Sequence, residues 1–295
     1  MRPMLLGRVR AICWCAAAIL SASCGSGGNS SSSTATSAPA AGAQSNNLLE
    51  QVKQRGQLVI STDADYKPQS YRNPDGTWVG FDVDVGREVA KRLGVQPVFK
   101  SVNFALVTPG GWNGQWDVNI DSMAITNERA KVLWFSEPYY FTPASFAVYK
   151  TSKARTLADL AGKRLGVGAS TTYESYLDGK MSTARTKPPA RTTVVTYDTD
   201  ELALQDLAAG DGVRLDGVLT ALPTIEAAIA RGMPLRVISP PVFDDSSAIA
   251  LDRESPVQSA PLLWAITGII HDMHRDGTLS RLSQKYYGID ITVRR

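Results

Sequence analysis

Cysteine is absent from this chain after position 24. Its three cysteines, Cys13, Cys15 and Cys24, crowd into the first residues, so the body of the protein can form no disulfide, thiolate metal site or cysteine nucleophile. Histidine is almost as scarce. His271 and His274 stand close together near the end and read as surface or packing residues, and no His/Cys/Asp spacing suits a metal. The sequence implies no metal and no cofactor. It lacks the G-x-x-x-x-G-K-[ST] phosphate loop, so the chain itself hydrolyses no ATP. The formal charge of +3 is equally uninformative. Arg2, Arg8 and Arg10 account for it; past Cys24, 28 basic residues face 28 acidic ones, which gives no nucleic-acid footprint. There is no apolar run long enough for an ordinary membrane span, since Ala11 to Leu20 is too short. Without a second span or a cytoplasmic domain, a self-contained receptor is disfavoured. No internal repeat of fixed period appears.

What is present fits an exported protein. The 295 residues are 43% hydrophobic and 20% charged, enough for two domains with real cores. The basic start, the apolar run and small residues before Cys24 read as a signal peptide over residues 1–23. Leu20-Ser21-Ala22-Ser23-Cys24 resembles a bacterial lipobox, with Ser21 where an aliphatic residue is usual. Cys24 is therefore the expected lipidation site. Residues 24–47, rich in Gly, Ser, Ala and Asn, cannot bury a core and read as a flexible tether.

From Leu48 onward apolar runs alternate with helical patterns, an α/β signature. Strands are expected at Leu58–Thr62, Trp78–Phe81, Val95–Val102, Val118–Ile120 and Phe146–Lys150. Asp82 to Leu93 reads as a helix with Asp82 as N-cap and Gly94 as stop. Further strands are expected at Arg164–Val167, Thr193–Tyr197, Gly217–Thr220, Leu235–Ile238 and Ala248–Leu251. Helices open at Thr172, Asp200 and Leu222, and two more close the chain, Pro261–Arg275 and Leu279–Tyr287.

Several stretches, in order, resemble the bacterial extracellular solute-binding proteins of family 3, which serve polar amino-acid ABC importers. They are Gly80-Phe81-Asp82-Val83-Asp84, then Ile125-Thr126-Asn127-Glu128-Arg129-Ala130 followed by Phe135-Ser136-Glu137-Pro138-Tyr139-Tyr140. Leu157 to Lys163 with Gly166-Val167, and Asp276-Gly277-Thr278-Leu279 to Gly288, complete the set. In register these are far more specific than any one alone. The resemblance implies a two-lobed periplasmic-binding-protein fold, type II-like, with two α/β lobes joined by two hinge strands. Lobe 1 would comprise residues 48–147 plus 243–295, and lobe 2 residues 148–242, closing over a ligand in the cleft. It also implies an extracytoplasmic protein that hands a small polar amino acid or amino-acid-like solute to an ABC permease and its ATPase; because both lobes must move and dock, a monomer is expected, with no nucleic-acid partner. The rival readings on the same fold are a solute sensor, a dehydratase-like enzyme and an adhesion module.

The resemblance assigns roles residue by residue. Arg129 would grip a ligand carboxylate, because a planar guanidinium meets a carboxylate with two parallel hydrogen bonds; without the flanking motif it would read as a surface arginine. Asp63 and Tyr66 would line the side-chain end, although aspartate is also a common turn residue. Phe104 would form a second aromatic wall, or else plain core. Ser122, and Ala124 through its backbone, would sit near the carboxylate with Thr171 and Thr172, which equally suit helix capping. Thr220 ends the strand before Ala221. At Ala221 the family pattern has an aspartate that holds the ligand ammonium, and alanine cannot. Asp121 stands where the pattern has serine, so two expectations compete: Asp121 supplies the missing acid, or the ligand lacks a standard α-ammonium. The run Thr108-Pro109-Gly110-Gly111 replaces an apolar helix and is expected to disturb the Phe104 wall.

Overall fold

The computed structural model describes residues 45–182 and 184–294. The signal segment, Cys24 and the tether up to residue 44 lie outside the described residues. Helix α1 (Leu48–Arg55) begins at Asn47, whose side chain accepts from Leu49 N and Glu50 N, and Gly56 at φ 68° ends it. Strand β1 (Gln57–Thr62) is buried along its second half. A small antiparallel sheet follows, made of β2 (Asp65–Tyr66), β3 (Ser70–Arg72) and β4 (Trp78–Val79).

Helix α2 (Phe81–Leu93) starts one residue earlier than expected, with Gly80 rather than Asp82 as its cap. Gly80 has φ 133°, and a Cβ there would stand 2.2 Å from the Gln69 carbonyl oxygen. Both constraints demand glycine. Asp82 is released from capping and lies fully buried in the first turn. Gly80→Ala should therefore cost at least about 3 kcal/mol in denaturant unfolding; a loss under about 1 kcal/mol would contradict this packing.

The chain continues through β5 (Gln96–Ser101), the single turn α3 (Phe104–Val107) and β6 (Val118–Asn119). Helix α3 stops where Pro109, Gly110 and Gly111 stop it. The missing helical apolar face is made good by Trp112, 2% exposed, and Trp116, with ring centroids 5.4 Å apart. Strand β7 (Leu133–Tyr149) is far longer than the expected Phe146–Lys150. Then come β8 (Arg164–Gly168), α4 (Thr172–Leu177), β9 (Thr193–Tyr197), α5 (Asp200–Ala208), β10 (Gly217–Ala221) and α6 (Leu222–Ala230). Strand β11 (Leu235–Asp252) joins two stretches that the sequence suggests are separate. Helices α7 (Ala260–Arg275) and α8 (Thr278–Tyr287) follow.

The strands form one eight-stranded sheet in the order β5-β1-β6-β11-β7-β10-β8-β9. At one end β5, β1 and β6 are parallel; at the other β10, β8 and β9 are parallel. Between them β7 and β11 run antiparallel, from Leu235 opposite Tyr149 to Asp252 opposite Leu133. Register shifts interrupt this central ribbon between Ile238 and Phe243 and again after Ser247. The first parallel set is covered by α1, α2, α7 and α8 around Val52, Ile60, Phe81, Val89, Ile266 and Leu279. The second has separate cores on its two faces, one around Phe146, Tyr176 and Phe243 and one around Leu204, Leu207 and Ile225. This is the expected α/β plan of two lobes joined by two crossing strands.

Candidate functional site

A cleft lies off the carboxyl ends of β1, β6 and β8, where open α/β sheets bind ligands. Nine of the ten residues expected to bind line it: Asp63, Tyr66, Phe104, Asp121, Ser122, Ala124, Arg129, Thr171 and Thr172. Thr220 does not. It is fully buried behind the cleft and donates to Asp200 Oδ2 at 2.7 Å, so its place is to orient a carboxylate that the sequence reading passed over.

Arg129 opens a short 3-10 turn, Arg129–Lys131, anchored by the Thr126 hydroxyl accepting from Arg129 N at 3.1 Å. The residue is only 8% exposed. Its Nη1 donates to the Ala124 carbonyl and its Nη2 to the Ser170 carbonyl, each at 2.8 Å. The guanidinium carbon stands 5.1 Å from the Phe104 ring centroid, so the shortened α3 leaves the aromatic wall in place and stacked on the cation. Burial pushes Arg129 down to about 10, against the nearby negative charge of Asp245. Among the described residues no carboxylate forms an ion pair with it.

Asp121 is engaged at one oxygen, while its Oδ2 is buried with no hydrogen-bond partner among the described residues. Its Oδ1 accepts from Asp63 N at 3.0 Å, from Ser70 Oγ at 3.2 Å and weakly from Thr62 Oγ1 at 3.4 Å. It thus braces the turn after β1. Burial, with Asp63 and Asp82 nearby, pushes its carboxyl well above the ordinary range. Ser122 sits at φ 53° and its hydroxyl is also engaged. It donates to Asp82 Oδ2 at 2.6 Å and accepts from Tyr140, while Tyr139 Oη donates to Asp82 Oδ1 at 2.8 Å. Burial raises Asp82 to about 7.

Thr171 caps α4 through Glu174 N and donates to the Gly168 carbonyl at 2.7 Å. Thr172 Oγ1 donates to Asp245 Oδ2 at 2.6 Å. Tyr66 on β2 meets Tyr173 on α4 hydroxyl to hydroxyl at 3.3 Å.

The sequence reading missed Tyr173, Asp198, Thr199, Asp200 and Asp245, all of which line the cleft. Asp200 reads as an ordinary first-turn acid of α5. Here Gly168 N also donates to its Oδ1 at 2.9 Å, and burial lifts it to about 6. Asp245, on β11, is raised by burial to about 6 as well, as is Asp63. The lining therefore carries five carboxyl groups and one guanidinium, an excess of acid suited to a ligand with positive charge. Ala221 is fully buried in the apolar cluster with Tyr173 and Phe243, away from the lining.

A model of the bacterial extracellular solute-binding proteins, family 3, matches residues 58–289. The L-cystine-binding protein TcyJ of Escherichia coli is 32% identical over 248 residues, covering 83% of this chain and 88% of TcyJ. The L-arginine-binding protein of Pseudomonas aeruginosa is 28% identical over 241 residues, 79% of this chain and 88% of its own length. Among solved structures, an ancestral arginine-binding protein bound to arginine superposes with a TM-score of 0.69 at 29% identity, covering 79% of this chain and 99% of that one. The ancestral amino acid-binding protein AncCDT-1, a precursor of cyclohexadienyl dehydratase, gives 0.70 at 26% identity, with 81% and 99% covered.

Proposed function

The chain belongs to the bacterial extracellular solute-binding proteins of family 3, and on that premise we propose that it captures a polar amino acid, cationic in its side chain, and delivers it to an ABC permease and its ATPase. The observation that carries this reading is Arg129: a buried guanidinium in the cleft wall, with its donors partly taken by backbone carbonyls and no carboxylate in an ion pair with it among the described residues. A buried charge without a partner is costly, and a ligand carboxylate supplies one. The surplus of aspartates in the same cleft favours arginine-, lysine- or ornithine-like side chains over acidic ones.

On this reading residues 48–147 plus 243–295 form one lobe and residues 148–242 the other. The protein acts as a monomer outside the cytoplasmic membrane, lipidated at Cys24 and held there by its tether. Among the described residues no helix is long and apolar enough to cross a membrane.

The test is a thermal-shift titration of the purified protein against L-arginine, L-lysine, L-histidine, L-glutamine, L-cystine and small carboxylates. Binding to the folded state raises the melting temperature by mass action. Stabilisation by a basic amino acid supports the proposal. Stabilisation by carboxylates alone, or by none of these, overturns it; in the second case turnover of prephenate or arogenate becomes the assay of interest.

A further inference from the structure

Arg129 and Asp245 line one cleft. Arg129 belongs to the turn before β7, and Asp245 to the middle of β11. Both are at most 8% exposed. Each charge shifts the other's titration, yet the two form no ion pair among the described residues. Each is held in place by other groups. The guanidinium is fixed by the Ala124 and Ser170 carbonyls, and the Asp245 carboxylate accepts from Thr172 Oγ1 at 2.6 Å through Oδ2. Two opposite buried charges kept close but apart, on separately anchored supports, match the two charges carried by the α-carbon of a free amino acid.

We propose that Asp245 is the partner of the ligand's α-ammonium and, with Arg129, forms the clamp that selects α-amino acids over their deaminated analogues. This rests on the amino-acid reading given above. Of the cleft acids, Asp245 is the one whose charge acts on Arg129, where the ammonium of a ligand whose carboxylate meets Arg129 must lie. Asp121 commits Oδ1 to the turn after β1 and keeps Oδ2 buried without a hydrogen-bond partner among the described residues, so it is the rival that D121N tests. Asp200 is engaged at both oxygens by Gly168 N and Thr220 Oγ1. Asp63 uses Oδ1 on Asp65 N and lies close enough to Asp121 and Asp200 to raise their titration. These three acids are left to face the side chain of the ligand, at the end closed by Tyr66 and Tyr173.

The experiment compares two probes, L-arginine and its deaminated analogue 5-guanidinopentanoate, by calorimetry on wild type, D245N and D121N. An ammonium left without its buried carboxylate loses about 2–5 kcal/mol, so wild type should prefer L-arginine by at least about 30-fold. In D245N that preference should fall to within about threefold, with 5-guanidinopentanoate still bound. D121N should retain the wild-type preference. If D245N keeps the preference, or D121N loses it, Asp245 is not the ammonium partner, and the amino-acid reading stands untouched. If wild type binds neither probe, L-lysine with 6-aminohexanoate replaces the pair; failure of both pairs sinks the reading of a cationic amino acid and this proposal with it. Should D245N fail to fold, T172V serves instead. Removing the hydroxyl that orients Asp245 should cut the preference several-fold, and an unchanged preference would overturn the assignment.

Discussion

Arg129→Met should weaken capture of the amino acid that stabilises the wild type by at least about 100-fold in calorimetry, leaving the ligand-free protein no less heat-stable. The two halves of this result have one cause. In the ligand-free fold the guanidinium is buried against carbonyl oxygens and an aromatic face, with Asp245 near but in no ion pair with it, and burial pushes it down to about 10. Its charge is therefore a burden on folding and an asset only when a carboxylate arrives. Methionine fills much of the same space without the charge. A ligand carboxylate facing that thioether loses two charge-assisted hydrogen bonds and remains desolvated, a penalty of about 2–5 kcal/mol. Arg129→Lys should fall between the two, because an ammonium keeps the charge and loses the fork. Affinity within threefold of wild type for Arg129→Met would remove the residue from the ligand's path.

The second large effect is a stability profile that leans toward acid. Burial raises Asp63, Asp200 and Asp245 to about 6 and Asp82 to about 7, from an ordinary 3.8. Between about pH 4 and pH 7 the folded chain then holds protons that the unfolded chain has released. Stability is greatest at the acid end of that window and falls as pH rises through the folded values. Asp63, Asp200 and Asp245 contribute at most roughly 3 kcal/mol each and Asp82 at most roughly 4 kcal/mol, so the ligand-free melting temperature should be higher by several degrees at pH 5 than at pH 7.5. Below that window the sign reverses, because Asp84, Glu88 and Asp276 are held under their ordinary values by basic and hydroxyl partners. A cationic ligand inverts the trend. It needs these carboxylates ionised, so its stabilising effect should be large at pH 7.5 and small at pH 5. A melting temperature that is flat or rising from pH 5 to pH 7.5 without ligand would contradict the burial of these acids.

Local signals made much of the fold legible. Thr171, followed by the apolar face of residues 172–177, announced α4, and Gly94 at φ 77° announced the end of α2. The central ribbon was harder to see. Pro138 and Pro143 each remove a ladder donor and read as breaks, yet both lie inside β7. Pro138 is accommodated where β11 changes register opposite it. A strand's tolerance for proline depends on its neighbour, which is not a local property. The site divides in the same way. Arg129 was legible because its neighbours form a motif. Asp200 was not, because an acid in a helix's first turn is what the helix dipole favours anyway. Only Thr220, 20 residues on and buried on the next strand, gives it a second meaning. Asp245 sat in an unremarkable Asp-Asp-Ser-Ser run, and nothing short of the β7 pairing brings it into the cleft with Arg129.

The interruptions in β11 also bear on mechanics. Residues Phe243 to Ser247 pair with Tyr140 to Ala144 as a short panel, and the register shifts at either end isolate it from the ladders beyond. A ribbon yields where its ladder is already broken, so the breaks at either end of the panel are the natural joints between the two parallel sets of strands, and Asp245 is at the centre of the panel they release. A solute held there would grip the moving part rather than a wall beside it. Tightness of hold and ease of opening would then be one property, and a variant selected for faster release would surrender affinity in the same step.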